Sequence, residues 1–332
     1  MKPYMYMLLA LGALVLGSGC ACSSEAAIEQ VLGINAEAPV FLGCKAVSPQ
    51  NISFQFSLPV RVVSLHFDPS LEVSSIQEGT QVEVTVNHDL PGGEAVTVNM
   101  LVEDSRRNTL NVLIPFRIKN ERLPSLIITE LRTEYAKPKV EFLELKTLSP
   151  GNLGALRLFI ASNGDTPVFE FPPVEVAAGE YLVIHLRSLE EGLINETGTD
   201  RAASPGTEAF PESRDFWVPG TQKRLRKTDV VFFMDQDDQI PDGVLLRENA
   251  DTSWTKEELT EAANRVHRQG GWLPSSDPQD AVLSKGSTVT RSISRNEAVP
   301  DRNRAEDWYI TATSGATPGK RNATKVYVPA AQ

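Results

Sequence analysis

The chain has 332 residues, of which 41% are hydrophobic and 23% are charged, and its formal net charge at pH 7 is −11. This length predicts two domains, and the apolar content is sufficient for packed cores. The acidic balance argues against nonspecific binding of nucleic acid, which depends on Lys and Arg side chains that neutralise phosphates. It also argues against electrostatic adhesion to anionic lipid.

The first 19 residues have the organisation of a secretion signal. Lys2 supplies a positive charge, an apolar stretch runs from Met5 to Leu16, and small residues at 17–19 precede Cys20. The stretch is shorter than the roughly 20 residues that a membrane-spanning helix needs. The pattern resembles the lipobox of bacterial lipoproteins. That resemblance implies cleavage before Cys20 and attachment of diacylglycerol and an N-acyl chain, such as palmitate, to this cysteine. A plain cleaved signal peptide is the alternative.

Lipidation at Cys20 makes the membrane an expected partner. Each buried CH₂ group contributes about 0.8 kcal/mol, so two or three acyl chains anchor a protein stably. We therefore expect the protein in the cell envelope, and the inner and outer membranes both stay open. Residues 20–37 are expected to form a tether. Because Cys22 lies in that tether and Cys44 in a predicted strand, we expect no structural disulfide and a free, buried Cys44.

Residues 38–120 are predicted to form a first β domain. Apolar and polar residues alternate in five short segments separated by turn residues, at 52–56, 63–67, 82–86, 96–100 and 110–116. Short alternating strands without helical patterns between them are typical of an antiparallel sandwich. The segment Phe56-Ser57-Leu58-Pro59-Val60 resembles the start of bacterial immunoglobulin-like domains, which implies that fold here.

A second β domain is predicted over residues 125–325, followed by a tail at 326–332. Strands are expected at 126–131, 140–145, 156–161, 168–171, 181–186, 230–234 and 244–246. Insertions near 187–228 and 250–285 interrupt them. The second insertion predicts a helix from Lys256 to Arg268, with Thr255 and Glu258 as a capping box and Gly270 beyond its end. Its apolar stripe is expected to pack on the sheet, and consists of Leu259, Ala262, Ala263 and Val266.

The second domain resembles the lamin-tail family. Leu126–Leu131, Val140–Leu145 and Val174–Ile184 resemble its successive strands, and Asp229–Val244 resembles its hairpin. Ser292–Arg295, Asp307–Tyr309 and Gly315–Asn322 resemble its closing signature. The resemblance implies an immunoglobulin-like sandwich that acts as a binding or scaffolding module. The fold expected for the whole chain is therefore mostly β, with two immunoglobulin-like β-sandwich domains in series and a short helical insertion in the second.

Three glutamates lie in the strands that carry this resemblance. Glu130, Glu141 and Glu144 are interpreted as structural, since a carboxylate held inside a sandwich must be paired or hydrogen-bonded. Arg295 or Arg291 is the candidate partner. Trp308 is expected in the core or at its edge, with its indole N–H satisfied.

An acidic loop follows the predicted strand at 230–234. Its four carboxylates could hold a weak calcium ion, although the loop lacks the glycine and the final glutamate of an EF-hand. A solvated turn is the alternative interpretation. The residues concerned are Asp235, Asp237, Asp238 and Asp242.

The first insertion places aromatic residues beside cationic ones. On a long loop this combination could bind a glycan, peptidoglycan or an anionic partner protein, and packing against the sandwich is the alternative. The residues of this candidate loop are Phe210, Arg214, Phe216, Trp217, Lys223, Arg224, Arg226 and Lys227.

No nucleophile elbow, phosphate-binding loop, dinucleotide fingerprint or His-Glu-x-x-His motif occurs, so we expect no enzymatic activity and no cofactor apart from the calcium alternative. The function predicted is that of a membrane-anchored, exported, non-catalytic module that binds or scaffolds a protein or envelope polymer. An accessory lipoprotein that works beside an envelope hydrolase or transporter is one alternative. A metal-dependent hydrolase using the loop Asp235–Asp242 is the other.

Overall fold

The computed structural model describes residues 38–329, which form a mostly β protein with one α-helix in that range. The predicted signal peptide, Cys20, Cys22 and the predicted tether lie outside the described residues. No helix within 38–329 is long and apolar enough to cross a membrane. Cys44 is free but only half-buried, and burial raises the pKa of its thiol to about 12.

The described chain divides into two compact units. The first contains residues 38–44, 53–84 and 97–114, and the second contains 45–52, 85–96 and everything from Pro115 onward. The predicted boundary near residue 120 is thus not a single cut in the chain, because short segments before it also belong to the second unit.

The first sheet has six strands. They are β1 (Phe41–Ala46), β2 (Asn51–Asp68), β3 (Val73–Gln77), β4 (Gly79–Val86), β5 (Ala95–Asp104) and β6 (Thr109–Arg117). Their order is β3-β4-β2-β5-β6, and β1 pairs with β2.

One continuous strand, β2, replaces the two strands predicted at 52–56 and 63–67. Its pairing with β5 shifts between Val62 and Ser64. A β-bulge of this kind inserts one residue and changes which face the following side chains occupy. The prediction of two separate strands is therefore wrong, since the chain stays paired across this irregularity. Elsewhere the period of two is confirmed, with buried Val82, Val84 and Val86 alternating with more exposed neighbours.

Thirteen further strands follow. They are β7 (Leu126–Arg132), β8 (Phe142–Thr147), β9 (Gly151–Asn152), β10 (Arg157–Ile160), β11 (Phe169–Glu170), β12 (Glu175–Val176), β13 (Tyr181–His185), β14 (Arg214–Trp217), β15 (Asp229–Met234), β16 (Gly243–Arg247), β17 (Val282–Leu283), β18 (Ile293–Arg295) and β19 (Trp308–Ile310).

These strands form two large sheets and a small one. The six-stranded sheet has the order β14-β13-β8-β7-β18-β19, the five-stranded sheet has the order β11-β10-β15-β16-β17, and β9 pairs with β12. One apolar cluster contains side chains from both large sheets, among them Leu143, Ile184 and Phe233. This arrangement is of the β-sandwich type, with the hydrophobic core formed by facing side chains of two sheets.

The predicted helix is present as α1, at Glu257–Arg268. Its N-cap is Lys256, which makes no side-chain capping hydrogen bond, so the predicted capping box with Thr255 is wrong. The expected glycine follows the helix, since Gly270 has a φ of +79°. Leu259, Ala263 and Val266 are buried and α1 packs against β15, as the apolar stripe predicted, whereas Ala262 is only half-buried.

The first insertion is not a loop throughout. Residues 214–217 form β14, which pairs in parallel with β13 and makes an edge of the six-stranded sheet. All four residues of β14 are buried. The binding-loop interpretation missed this strand because two of its residues, Arg214 and Asp215, are charged.

Candidate functional site

A cavity of about 320 Å³ lies in the second unit, where the end of the first insertion meets the start of α1. Four of its lining side chains are cationic: Lys223, Arg226, Lys227 and Lys256. The other lining residues are Glu134, Ser162, Thr228, Glu248, Thr255 and Leu259. We call this site the basic cavity. It lies at the lower end of the range of ligand pockets, which is about 300–1,000 Å³.

The lysines of the basic cavity already have carboxylate neighbours. The Lys223 Nζ atom is 3.3 Å and the Lys227 Nζ atom 3.8 Å from the same Glu134 oxygen, and Lys227 is also 3.5 Å from Glu248. Lys256 pairs at 3.1 Å with Glu258 of α1. Such partly exposed pairs stabilise a fold by about 0–1 kcal/mol each, so they are weak enough to rearrange around a ligand.

Arg226 differs from the lysines. Its Nη1 atom donates to the Ser162 carbonyl oxygen at 3.2 Å, and within residues 38–329 its guanidinium forms no salt bridge. The side chain is exposed at the cavity. A guanidinium presents a planar fork of donors that matches the oxygens of carboxylates and phosphates. Arg226 is therefore the cation of the cavity most available to an anionic ligand.

Asp229 positions the cationic segment. Its buried carboxylate accepts hydrogen bonds from the backbone N–H of Ser162 at 3.0 Å, the Ser162 hydroxyl at 2.6 Å and the backbone N–H of Arg226 at 3.2 Å. Burial raises the pKa of Asp229 to about 6, and these donors oppose that rise. The carboxylate thus joins two segments that line the cavity, and it fixes the position of the Arg226 backbone.

Arg224 belongs to the same segment but does not line the cavity. Its guanidinium donates to the Pro219 carbonyl oxygen at 2.6 Å, while its own carbonyl accepts from Asn163 at 2.7 Å. Partial burial lowers the pKa of Arg224. This residue therefore holds the insertion against the sandwich.

The aromatic half of the predicted binding loop lies inside the protein. Phe216 is fully buried with its ring 5.0 Å from that of Phe171, and Trp217 stacks on His185 with ring centroids 3.8 Å apart. The Trp217 indole N–H donates to Ser204 at 2.9 Å. Phe210 is half-buried beside the same group. Phe216 and Trp217 are core residues, which corrects their interpretation as a binding face.

Arg214 is also buried and acts as an internal clamp. Its Nε atom donates to Glu180 at 2.9 Å, and its Nη1 atom donates to the carbonyl oxygens of Glu196, at 2.7 Å, and Gly198. These bonds join β14 to the earlier part of the first insertion and to Glu180, which precedes β13. Arg214 is therefore unavailable to a partner at the surface.

The four aspartates of the acidic loop do not converge. Asp235 accepts from the backbone N–H of Asp237 at 2.8 Å, as in a turn, and Asp238 pairs with Arg157 at 3.1 Å. Asp237 accepts from Lys119 of the same unit, which lowers the pKa of this carboxyl. Within residues 38–329 no group of three or more His, Cys, Asp or Glu side chains is placed to hold a metal ion.

Asp242, the fourth aspartate, points into the sandwich. Its carboxylate accepts from the backbone N–H of Ile128 at 2.6 Å and pairs with Arg295 at 3.1 Å. Burial raises its pKa to about 6, whereas the Arg295 charge opposes that rise. Asp235, Asp237 and Asp238 thus lie in a turn at the surface, whereas Asp242 is buried. The spacing of the four aspartates in the sequence does not reveal this difference.

The buried glutamates do not have the predicted arginine partners. Glu141 forms a two-point pair with Arg187, whose Nε atom lies 2.6 Å from one carboxylate oxygen. Arg295 instead joins Asp242, and Arg291 lies over the Tyr327 ring at 4.0 Å. The prediction that Arg295 or Arg291 pairs with these glutamates is therefore wrong.

Glu130 and Glu144 are held by the closing segment of the domain. Glu130 accepts from the hydroxyls of Ser292 and Ser294 and from the backbone N–H of Thr317. Glu144 accepts from the Gly319 backbone N–H at 2.6 Å. The two regions that were matched to the lamin-tail pattern separately, the glutamate strands and the residues after Gly315, thus contact each other. These contacts agree with the interpretation of Glu130 and Glu144 as structural residues.

Trp308 is buried, with the guanidinium of Arg295 4.7 Å from its ring centroid. Its burial is as expected, but within residues 38–329 its indole N–H has no hydrogen-bond partner. At the other edge of the same sheet, the buried pair His185 and Asp215 joins at 2.7 Å, and the His185 ring stacks on Trp217. Both residues have no exposed side-chain surface, so this pair is part of the core rather than an accessible acid–base site.

Sequence reasoning identified Lys223, Arg226 and Lys227 but missed the rest of the basic cavity. The sequence pattern indicates only a helical position for Lys256, and it gives no signal for Glu134 or Glu248. These residues come from segments up to about 120 positions apart in the chain, so no local spacing relates them. The cationic run at 223–227 was the one signal that pointed to the site.

The chain is similar to several known proteins. An uncharacterized protein of Treponema pallidum (strain Nichols) is 26% identical over 194 residues, which are 54% of this chain and 48% of that protein. The chain thus spans about half the length of this curated relative. The N-terminal part of the bacterial S-layer protein SbsC matches with 14% identity and a TM-score of 0.25, over 64% of this chain and 44% of that one.

A DUF4876 family protein from Bacteroides thetaiotaomicron has 11% identity and a TM-score of 0.28, over 84% of this chain and 93% of that one. TM-scores of this size carry no argument about fold or function. A family model named TP_1001_2nd, with the description "protein second domain", matches residues 124–310, which is more than half of the chain. The chain belongs to this TP_1001_2nd family.

Proposed function

We propose that this protein is an exported lipoprotein that acts as a non-catalytic binding module in the cell envelope. Acyl chains on Cys20 anchor it to the membrane, and two immunoglobulin-like domains, the second of lamin-tail type, extend from that anchor. The second domain binds an anionic partner, either a protein or an envelope polymer, at the basic cavity.

The basic cavity is the observation that carries this proposal. Its lining has four cationic side chains and two carboxylates, and the adjacent Glu258 pairs with Lys256, which leaves a formal charge of +1 although the whole chain has a net charge of −11. A local concentration of positive charge on an acidic protein repels cations and attracts one anionic group without making the whole surface adhesive. Exposed, conformationally held loop residues are also where binding functions concentrate on rigid β scaffolds.

A polyanion column tests the binding role. The detergent-solubilised full chain is applied to dextran sulfate and eluted with salt, beside the double variant Arg226→Gln/Lys227→Gln. The control variant is Lys320→Gln/Lys325→Gln, which removes two exposed lysines outside the cavity. We expect the wild type and the control to elute together and the cavity variant to elute at lower salt. Equal elution of all three, or no retention of the wild type, would contradict the proposal.

The anchor is tested separately. Mass spectrometry of the N-terminus and detergent phase partitioning are compared for the wild type and Cys20→Ala. The proposal predicts acylated Cys20 in the detergent phase for the wild type and loss of both properties in the variant. An unmodified Cys20 on a protein in the aqueous phase would remove the anchoring part of the proposal and leave the cavity unaffected.

A further inference from the structure

The charge balance of the basic cavity distinguishes between classes of anion. Lys223 and Lys227 share Glu134, and Lys227 also has Glu248 within 3.5 Å. A ligand with a single carboxylate would mainly take the place of Glu134 or Glu248 beside these lysines, and would therefore gain little binding free energy. A phosphomonoester has a charge of about −1.5 to −2 at pH 7 and three acceptor oxygens. It offers more charge and more acceptor oxygens to the four cationic side chains of the lining than a single carboxylate does.

The uncharged donors of the site fit the same group. Thr228 and Thr255 line the cavity, and the Thr228 hydroxyl oxygen accepts from the Glu248 backbone N–H at 3.0 Å. The hydroxyl hydrogen of Thr228 is therefore directed to another acceptor, because a hydroxyl has one donor and separate acceptor lone pairs. Arg226 adds a guanidinium without a salt bridge within the described part of the chain. A tetrahedral oxyanion is the group that uses such donors from several directions.

The site is also held in place before a ligand arrives. Asp229 fixes the backbone of Arg226 to the segment at Ser162, and Asn163 holds the Arg224 carbonyl at 2.7 Å. The cationic segment is thus held by a segment distant in sequence and presents its donors with little further ordering. Pre-organisation of this kind reduces the entropy that binding would otherwise cost.

We propose that the basic cavity binds the dianionic phosphate of a phosphomonoester or of free inorganic phosphate, which rests on the anion-binding role proposed above. Arg226 contacts the phosphate through its guanidinium fork, and Lys223, Lys227 and Lys256 surround it as point charges. Phosphodiesters, which carry one negative charge per phosphate, bind less tightly. This excludes ordinary diester lipid headgroups as the preferred partner and favours a terminal or free phosphate.

Calorimetric titration of the detergent-solubilised full chain tests the ligand class. The probes are glycerol 3-phosphate, inorganic phosphate, glycerophosphoglycerol as a diester and acetate, all at matched ionic strength and pH 7.5. We expect the first two to bind and the last two to bind at least about tenfold more weakly. Replacing Arg226 by Gln is expected to weaken glycerol 3-phosphate binding by about tenfold, as is typical of a lost charge-assisted hydrogen bond. The variant Lys320→Gln is expected to bind like the wild type.

The outcomes distinguish an ester phosphate from free phosphate, and they distinguish the phosphate proposal from the general anion-binding proposal. Tighter binding of glycerol 3-phosphate than of inorganic phosphate supports an ester ligand, and the reverse order supports free phosphate. Equal affinity for acetate, the diester and the monoester overturns the phosphate assignment. If dextran sulfate retention still depends on Arg226 and Lys227 in that case, the general anion-binding role stands. If that dependence is also absent, both proposals fail.

Discussion

Glu130 and Glu144 face each other as paired residues of the neighbouring strands β7 and β8, with both side chains fully buried. Burial raises the pKa of Glu130 to about 7, and burial together with the Glu130 charge raises the pKa of Glu144 well above its ordinary value. Two carboxylates this close in a dry interior cannot both be ionised at low cost, so the pair holds at least one proton near neutral pH.

This proton makes stability depend on pH. An unfolded Glu titrates near 4.5, so between about pH 4.5 and pH 7 the folded state binds more protons than the unfolded state. The stabilising contribution is complete below pH 4.5 and is lost as pH rises through 7. We predict that melting temperature falls from pH 5 to pH 7.5. Glu144→Gln should reduce this slope, because an amide binds no proton in this pH range. The variant should still fold, because the amide can accept from Gly319 and donate to Thr129. The exposed control Glu212→Gln should keep the slope. Calorimetric melting curves of the three proteins would decide, and a slope unchanged in Glu144→Gln would contradict the pairing.

Arg214 and Lys223 should respond differently to replacement by alanine, although both lie in the same insertion. Arg214→Ala leaves the buried Glu180 with the half-exposed Arg201 and the Ala177 backbone N–H as partners, and is expected to lower the free energy of unfolding by about 3 kcal/mol. Lys223→Ala removes a half-exposed lysine and should change it by less than about 0.5 kcal/mol. Denaturant unfolding measures both. A small effect of Arg214→Ala would show that its buried contacts do not hold the insertion.

Removing a competing carboxylate should strengthen ligand binding. Glu134→Gln removes the carboxylate charge that Lys223 and Lys227 share, so Lys223 loses its ion pair and Lys227 keeps only Glu248. Because each exposed pair contributes about 0–1 kcal/mol, affinity for glycerol 3-phosphate is expected to rise by up to about fivefold. Glu212→Gln, which alters the same net charge at a distant exposed position, should have no effect. Equal gains in both variants would indicate long-range charge rather than the cavity.

Asp229 is expected to act on binding through Arg226. In Asp229→Asn one carboxylate oxygen becomes an N–H donor, which cannot accept from the Arg226 backbone N–H. We predict a loss of glycerol 3-phosphate affinity of a few fold. Circular dichroism and melting temperature serve as the check on folding. The variant Asp242→Asn, which alters a buried aspartate outside the cavity lining, is the matched comparison and should leave the affinity unchanged.

The sequence contained enough information for most strands and for α1, because alternation and helical spacing depend on local burial. It did not reveal β14, since Arg214 and Asp215 are buried only by virtue of Glu180 and His185, which lie about 30 residues earlier. The same reason explains the wrong partner for Glu141. Arg187 follows β13, the strand that pairs with β8, and it reaches Glu141 just before β8. Such partners of buried polar residues are set by tertiary contacts, which local sequence patterns do not show.

The candidate site was predictable only in part. The run at 223–227 showed positive charge on an otherwise acidic chain, but the neighbouring aromatic residues suggested a continuous binding face. The structure separates the two, with Trp217 buried against His185 and Arg226 exposed at the cavity. Exposure, rather than residue type, decides which members of the insertion can meet a ligand.

Anomalous diffraction from crystals grown with tungstate tests the central claim most directly, because tungstate is a tetrahedral dianion like phosphate and its heavy atom can be located unambiguously. The account predicts an anomalous peak inside the basic cavity, with its oxygens within hydrogen-bonding distance of the Arg226 guanidinium and of at least one of Lys223, Lys227 and Lys256. An empty cavity in crystals that hold tungstate elsewhere would contradict it.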